Sequence, residues 1–299
     1  MAALKDIKRK IGAVKKTQQI TRAMNMVAAS KLRGAQARME NFRPYAAKYA
    51  EVMNSLAARI EQRDIHPFLI QPAEVKTVTV ICFSSDRGLC GSFNMNTISA
   101  VEKFVKRKSQ EGIEVSLTLV GRKLRDYFRR RQVNVLKFYT DMMSSFDYYS
   151  ASDLAREAMN GFITGKFQEV YLFYTHFEGM ARQNVTQLKL LPISPPSEEE
   201  DEEKKGRPAE PTLEYLFEPS VEGIMTELLP KSMIIQVYNA MLETSTSEHA
   251  ARMAAMDNAT KNCKDLINDL TLAYNKARQS AITAELMDIV GGAEALRSM

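Results

Sequence analysis

Lys231–Val290, KSMIIQVYNAMLETSTSEHAARMAAMDNATKNCKDLINDLTLAYNKARQSAITAELMDIV, is sixty residues of chain without a glycine or a proline. As an α-helix rising ~1.5 Å per residue it would be ~90 Å long, about three times the diameter of a small domain. The first sixty residues are similar, interrupted only by Gly12, Gly34 and Pro44. Helices of that length cannot fold back inside one compact core. The two ends of the chain therefore read as a rod, with residues between them forming a globular insert.

Steps of three and four from Leu4 reach Ile7, Ile11, Val14, Gln18, Thr21, Asn25, Ala28, Leu32 and onward to Ile60, and fourteen of these seventeen positions are apolar. A repeat of 3.5 residues over this length is the pattern of a left-handed coiled coil. Gln18, Thr21 and Asn25 are the exceptions and are consecutive along the stripe. They serve either to fix register or to face something other than the partner helix. From Ile235 the same stepping passes through Met256, Ala259, Cys263, Leu266, Leu270, Ala273, Ala277 and Ser280 to Gly291, with twelve of seventeen positions apolar. Two naked stripes pair most simply with each other, antiparallel. Pro44 removes one helical hydrogen bond and should bend the first helix near residues 40–44.

Between the helices, residues 75–193 alternate strand and helix. Lys76–Phe83, Glu114–Val120, Val133–Tyr139, Glu169–Tyr174 and Val185–Leu191 read as strands, and segments after the first three read as helices. That order argues for a small, mostly parallel, Rossmann-like α/β sheet. The expected organisation is an N-terminal shaft helix at 1–62, the α/β domain at 75–193, an acidic proline-rich linker at 194–211, and a C-terminal shaft helix at 212–299.

Composition narrows the class. The net charge is +5, but residues 1–60 hold thirteen Lys and Arg against Asp6, Glu40 and Glu51. A basic rod implies an acidic partner: nucleic acid, anionic lipid or acidic protein. No window resembles a membrane span, and Met1–Lys10 lacks the apolar core of a signal peptide. Cys82, Cys90 and Cys263 are far apart, as suits a reducing cytoplasm. Arg122–Arg131 (RKLRDYFRRR), with six basic residues in ten, is either a solvated helix face or a dock for an acidic neighbour.

Enzymatic chemistry finds little footing. The glycines of Asp86–Gly91 (DRGLCG) follow the first strand, but their spacing is GxxG and no ribose-binding acid follows. Gly161–Phe167 (GFITGKF) is one residue short of a phosphate loop, follows a helix, and lacks Ser or Thr after Lys166. His66, His176 and His249 are isolated in sequence, so no cofactor or metal is expected.

Three segments together resemble the gamma subunit of F-type ATP synthases: Thr17–Leu32 (TQQITRAMNMVAASKL), Ser84–Asn94 (SSDRGLCGSFN) and Ser280–Ala295 (SAITAELMDIVGGAEA). The last carries the family pattern at Ile282, Thr283, Glu285, Asp288, Gly292 and Ala293. The resemblance covers essentially the whole chain. It implies a non-catalytic rotor whose coiled coil turns inside a ring of alpha and beta subunits, with catalysis on beta. The α/β domain would meet epsilon and the c-ring of Fo, at the cytoplasmic face of a bacterial plasma membrane touched only through Fo.

The same resemblance assigns partner contacts. Gln18, Thr21, Arg22, Met24 and Asn25 would meet a lever loop of beta, with Met24 beside Arg278, Gln279, Thr283 and Glu285 of the opposite helix. Arg278 and Gln279 would form a catch to beta carboxylates at one rotor angle. Asp86, Arg87 and Cys90 lie on the turn expected to touch beta's acidic lever. The competing expectations are a basic coiled-coil nucleic-acid-binding protein, which would bind with steep salt dependence, and an α/β nucleotide enzyme with a dimerising coil.

Overall fold

The computed structural model describes residues 2–57, 66–131, 133–180, 182–193 and 221–297. The whole of the expected 194–211 linker with its acidic stretch, together with stripe residue Ile60, lies outside them. In chain order the elements are α1 (Ala2–Ala57), β1 (Thr77–Phe83), α2 (Phe93–Gln110), β2 (Glu114–Val120), α3 (Arg122–Phe128), β3 (Asn134–Tyr139), α4 (Tyr148–Ile163), β4 (Glu169–Phe177), β5 (Gln183–Leu191) and α5 (Val221–Arg297). The chain forms two compact units: Met1–Ser30 with Arg252–Met299, and Lys31–Ala251.

The first unit is a two-helix coil. Along α1, Leu4, Ile7, Ile11, Val14, Gln18, Thr21, Asn25 and Ala28 are the shielded positions, and most residues between them are exposed. Thr260 Oγ1 donates to Thr21 Oγ1 at 2.8 Å, and Asn25 Nδ2 donates to the Met253 carbonyl at 2.9 Å. The α5 number falls as the α1 number rises, so the helices are antiparallel. The α5 seam is Met256, Thr260, Cys263, Ile267, Leu270, Tyr274, Ala277 and Ala281. This corrects the expected stripe at alternate positions: Leu266 is 46% exposed, and Ile267 takes its place. Both neighbours are apolar, so stepping by three or by four looks equally good in the sequence. The Thr21–Thr260 bond accompanies the phase the structure adopts.

The second unit holds the sheet, in the order β3-β2-β1-β4-β5. All pairs are parallel except the β4–β5 hairpin. β1 is central and almost wholly buried. On one face Val80, Cys82, Leu117 and Leu119 pack with Phe104 of α2 and Leu124 and Phe128 of α3. On the other, Ile81 faces Leu154 and Ala158 of α4 across a cavity of about 300 Å³. Within this unit α1 and α5 are again antiparallel. Phe42 meets Tyr238 edge-on at 4.8 Å, while the Tyr49 hydroxyl donates to the Leu228 carbonyl. Tyr238 also meets Phe146 and Tyr148, which tie the start of α4 to the helix pair. α1 remains helical through Pro44, and α5 through Pro230.

Candidate functional site

No helix among the described residues is long and apolar enough to cross a membrane, and none of their side chains form a metal-binding group of three. The segment that superficially resembled a phosphate loop is the end of α4 and the turn into β4. Gly161 is required there because a Cβ would fall 2.1 Å from the Phe167 ring.

The loops at the carboxyl ends of the parallel strands are bound to one another. Asp86 Oδ1 accepts from the backbone N–H of Arg122 at 2.9 Å and of Asp141 at 3.0 Å. Arg122 in turn donates to both oxygens of Asp141. One carboxylate thus joins the loops following β1, β2 and β3. Gly121, at φ 108, presses on Ser84 so closely that a Cβ would sit 2.3 Å from the Ser84 carbonyl oxygen. On the β1–β2–β3 side of the sheet's carboxyl end, the loops are therefore fastened by the protein's own backbone and the Asp86 side chain.

This geometry divides the residues expected on the turn. Asp86 is directed inward, and Cys90 is 2% exposed, with Asn94 Nδ2 donating to its sulfur at 3.1 Å. Arg87 faces out. So does Leu89, 63% exposed and held at φ 63, with Met95 beside it at 56%. A leucine in the left-handed region is uncommon and costs about 1–3 kcal/mol. Leu89 was missed because an apolar residue between two glycines looks like filler. Gly91, two residues on, shares the left-handed backbone at φ 60.

On the coil, the polar seam faces inward. Thr21 is buried and bonded to Thr260, Asn25 is bonded to α5, and Gln18 is half-buried, its carbonyl accepting from Thr21 Oγ1 at 3.0 Å. The outward face carries Arg22 with Ile20, Met26 and Val27, which are 59%, 67% and 58% exposed. Large apolar residues outside the heptad stripe were the available signal for this face. The pairing also corrects one expectation: Met24 lies across from the region of Met253, not beside Arg278, Gln279, Thr283 and Glu285. Arg278 is twenty-five residues farther along α5, or ~37 Å at helical rise. Antiparallel register sets Arg278 opposite the first turn of α1. Arg278, Gln279, Thr283 and Glu285 are all exposed, and the Thr283 hydroxyl donates to its own helix at the Gln279 carbonyl.

From Ile282 to Ala293 every residue of α5 is exposed. Ile282, Leu286, Met287, Ile289 and Val290 are 49–69% exposed on consecutive turns. Such a run of bare apolar side chains marks a binding surface.

A family profile described as ATP synthase matches residues 3–296. An ATP synthase gamma chain of Syntrophobacter fumaroxidans is 54% identical over 99% of this chain and 100% of its own length. That of Syntrophus aciditrophicus is 52% identical over 99% of each. Among solved structures, a chain of the Tetrahymena thermophila mitochondrial ATP synthase central stalk and c-ring matches with TM-score 0.58 and 25% identity, over 80% of this chain and 99% of that one. A chain of the Euglena gracilis mitochondrial ATP synthase, 21% identical, shares the fold with TM-score 0.67 over 99% of this chain and 95% of that one.

Proposed function

The chain belongs to the ATP synthase gamma family and is a non-catalytic rotor subunit of the central stalk; on that premise we propose which of its surfaces carry the coupling. The nucleic-acid reading finds no support in this family. The catalytic sites lie on beta, and the coil turns within the ring of alpha and beta subunits. The α/β unit meets epsilon and the c-ring at the cytoplasmic face of the bacterial plasma membrane, which the chain touches only through Fo.

The observation that carries this reading is the bare end of α5. Apolar residues from Ile282 to Val290 stay in water unless an apolar collar covers them. Burying one such side chain fully contributes roughly 1.5–3 kcal/mol. The ring interior supplies that cover while permitting rotation, because apolar contact is non-directional. One helical turn below, Arg278 and Gln279 present directional donors. They act as a catch to beta carboxylates that engages at particular rotor angles. The outward face around Arg22, and the Arg87–Leu89 turn, are the remaining surfaces for beta.

Coupling requires that each rotor angle interact with a different free energy with each beta conformation. Contacts remade at every step must each be weak, about 1 kcal/mol, or rotation would stall. The test is reconstitution of the purified chain with alpha and beta. ATP hydrolysis should appear only when all three are present. Hydrolysis by alpha and beta that does not respond to this chain would refute the proposal.

A further inference from the structure

β4 is longer than its neighbour. It pairs with β1 only from Glu169 to Phe173, so Tyr174–Phe177 run past the end of that ladder. On this side the strand would present bare backbone groups, yet Thr175 is only 2% exposed. α5 covers it. Thr175 N–H donates to Thr244 Oγ1 at 3.4 Å, and the Thr175 carbonyl accepts from Ser247 Oγ at 3.2 Å. Two hydroxyls one helical turn apart thus replace the missing strand. Beside them His176 Nδ1 is bonded to Glu243 Oε2, and Asn239 Nδ2 donates to Glu243 Oε1 at 3.1 Å.

The helix itself changes character at this place. From Ala240 to Glu248 every residue is buried, so α5 is enclosed on all sides for more than two turns. Thr244, Thr246 and Ser247 are fully shielded, and Ser245 is nearly so. Side chains this small allow the strand edge to approach the helix closely. Thr246 Oγ1 donates to its own helix at the Leu242 carbonyl, 2.8 Å away. A helix packed along one stripe can roll against its neighbour. A helix enclosed all round and hydrogen-bonded to a strand backbone cannot roll without breaking those bonds.

We propose that the overhanging end of β4, Tyr174–Phe177, grips α5 at Glu243–Ser247 and is the joint by which torque applied to the α/β unit enters the C-terminal helix. Thr244, Ser247, Glu243 and His176 are its positioning residues. The inference rests on the rotor role and adds where the load crosses within the chain. Apolar packing alone resists separation but little opposes sliding, whereas paired donors and acceptors fix the rotational setting. Loss of the grip therefore lets the α/β unit slip while α5 still turns against beta.

The test uses the complete membrane-bound synthase in vesicles, with ATP hydrolysis and ATP-driven proton uptake measured on the same preparation. The double variant Thr244→Val with Ser247→Ala keeps side-chain volume nearly constant and removes both hydroxyls. Hydrolysis should remain within about twofold of wild type while uptake per ATP falls at least about fivefold. Ser247→Thr retains the hydroxyl and should keep the wild-type ratio. A wild-type ratio in the double variant overturns the proposal. So does a proportional fall of both activities, which would indicate lost assembly instead of slip. If the double variant does not assemble, His176→Ala, which trims a partly exposed ring, decides by the same ratio. A wild-type chain that failed to couple hydrolysis to uptake would instead remove the rotor reading itself.

Discussion

Asp86 shows how a side chain can shape a surface that its neighbours present. Its one oxygen accepts two backbone N–H groups from separate loops, and so sets the platform from which Arg87 and Leu89 project. Asp86→Ala leaves those donors to water. At about 1 kcal/mol for each net hydrogen bond, thermal unfolding of the chain within its complex should fall by a few degrees. Coupled turnover should drop with it. Asp86→Asn keeps an acceptor oxygen and should recover most of the stability. An unchanged melting temperature for the alanine variant would mean that Gly121 and the strand ends hold the loops by themselves. Gly121→Ala should be far more damaging, because φ 108 and the 2.3 Å approach to Ser84 leave no room for a methyl group. The DRGLCG turn was legible as a motif, and its position after the first strand was read correctly. The division into inward Asp86 and Cys90 and outward Arg87 and Leu89 was not, since it depends on loops thirty-six and fifty-five residues away.

Among the elements, the helices were the most legible and their phasing the least. The α1 stripe from Leu4 to Leu56 coincides with the shielded positions because, outside residues 18–27, nearly every step lands on an apolar residue and most large residues between the steps are polar. Along α5, adjacent apolar pairs such as Leu266–Ile267 and Ala273–Tyr274 satisfy two phases, and only packing against α1 selects between them. The run Thr244–Ser247 (TSTS) also held a signal that a single stripe overlooks: four small uncharged residues in succession cover a full turn and leave it no charged face for water. Replacing Gln18, Thr21 and Asn25 together by leucine should raise the thermal stability of the coil, since inward positions gain apolar burial. Turnover of the reconstituted complex should nonetheless fall, because the hydrogen bonds to Thr260 and Met253 that define the register are lost. Normal turnover would make the polar seam incidental to function. α4 offers a pH test. Asp147 caps its start, and the Ser150 N–H and hydroxyl hold this carboxyl below its ordinary value of 3.8. A depressed folded-state value means the cap's contribution is full above the ordinary value and lost as pH falls through the depressed one. Helical signal from this unit, followed through acid titration from roughly pH 5 to pH 1, should therefore weaken earlier in Asp147→Ala than in wild type. Coincident titrations would show that the cap contributes nothing.

For the whole molecule, the question is whether coupling resides in shape or in specific polar contacts, and the end of α5 separates the two. Its apolar residues favour burial but no particular angle. Arg278 and Gln279, exposed on the turn below, are directional and can favour one. Arg278→Ala with Gln279→Ala should therefore leave assembly with alpha and beta intact, because the bare apolar turns remain. Synthesis and hydrolysis should both decline. Two exposed contacts of about 1 kcal/mol each set the loss at roughly tenfold to thirtyfold, from 1.36 kcal/mol per tenfold in rate. Salt supplies an independent check. Ion pairs at a surface are screened over about 10 Å at 0.1 M ionic strength, so wild-type turnover should slow as salt is raised while the double variant, lacking the charge, changes little. If both forms lose activity in parallel with salt, the sensitivity comes from assembly and the catch is dismissed. If the variant keeps wild-type rates at low salt, the rotor drives beta by shape alone.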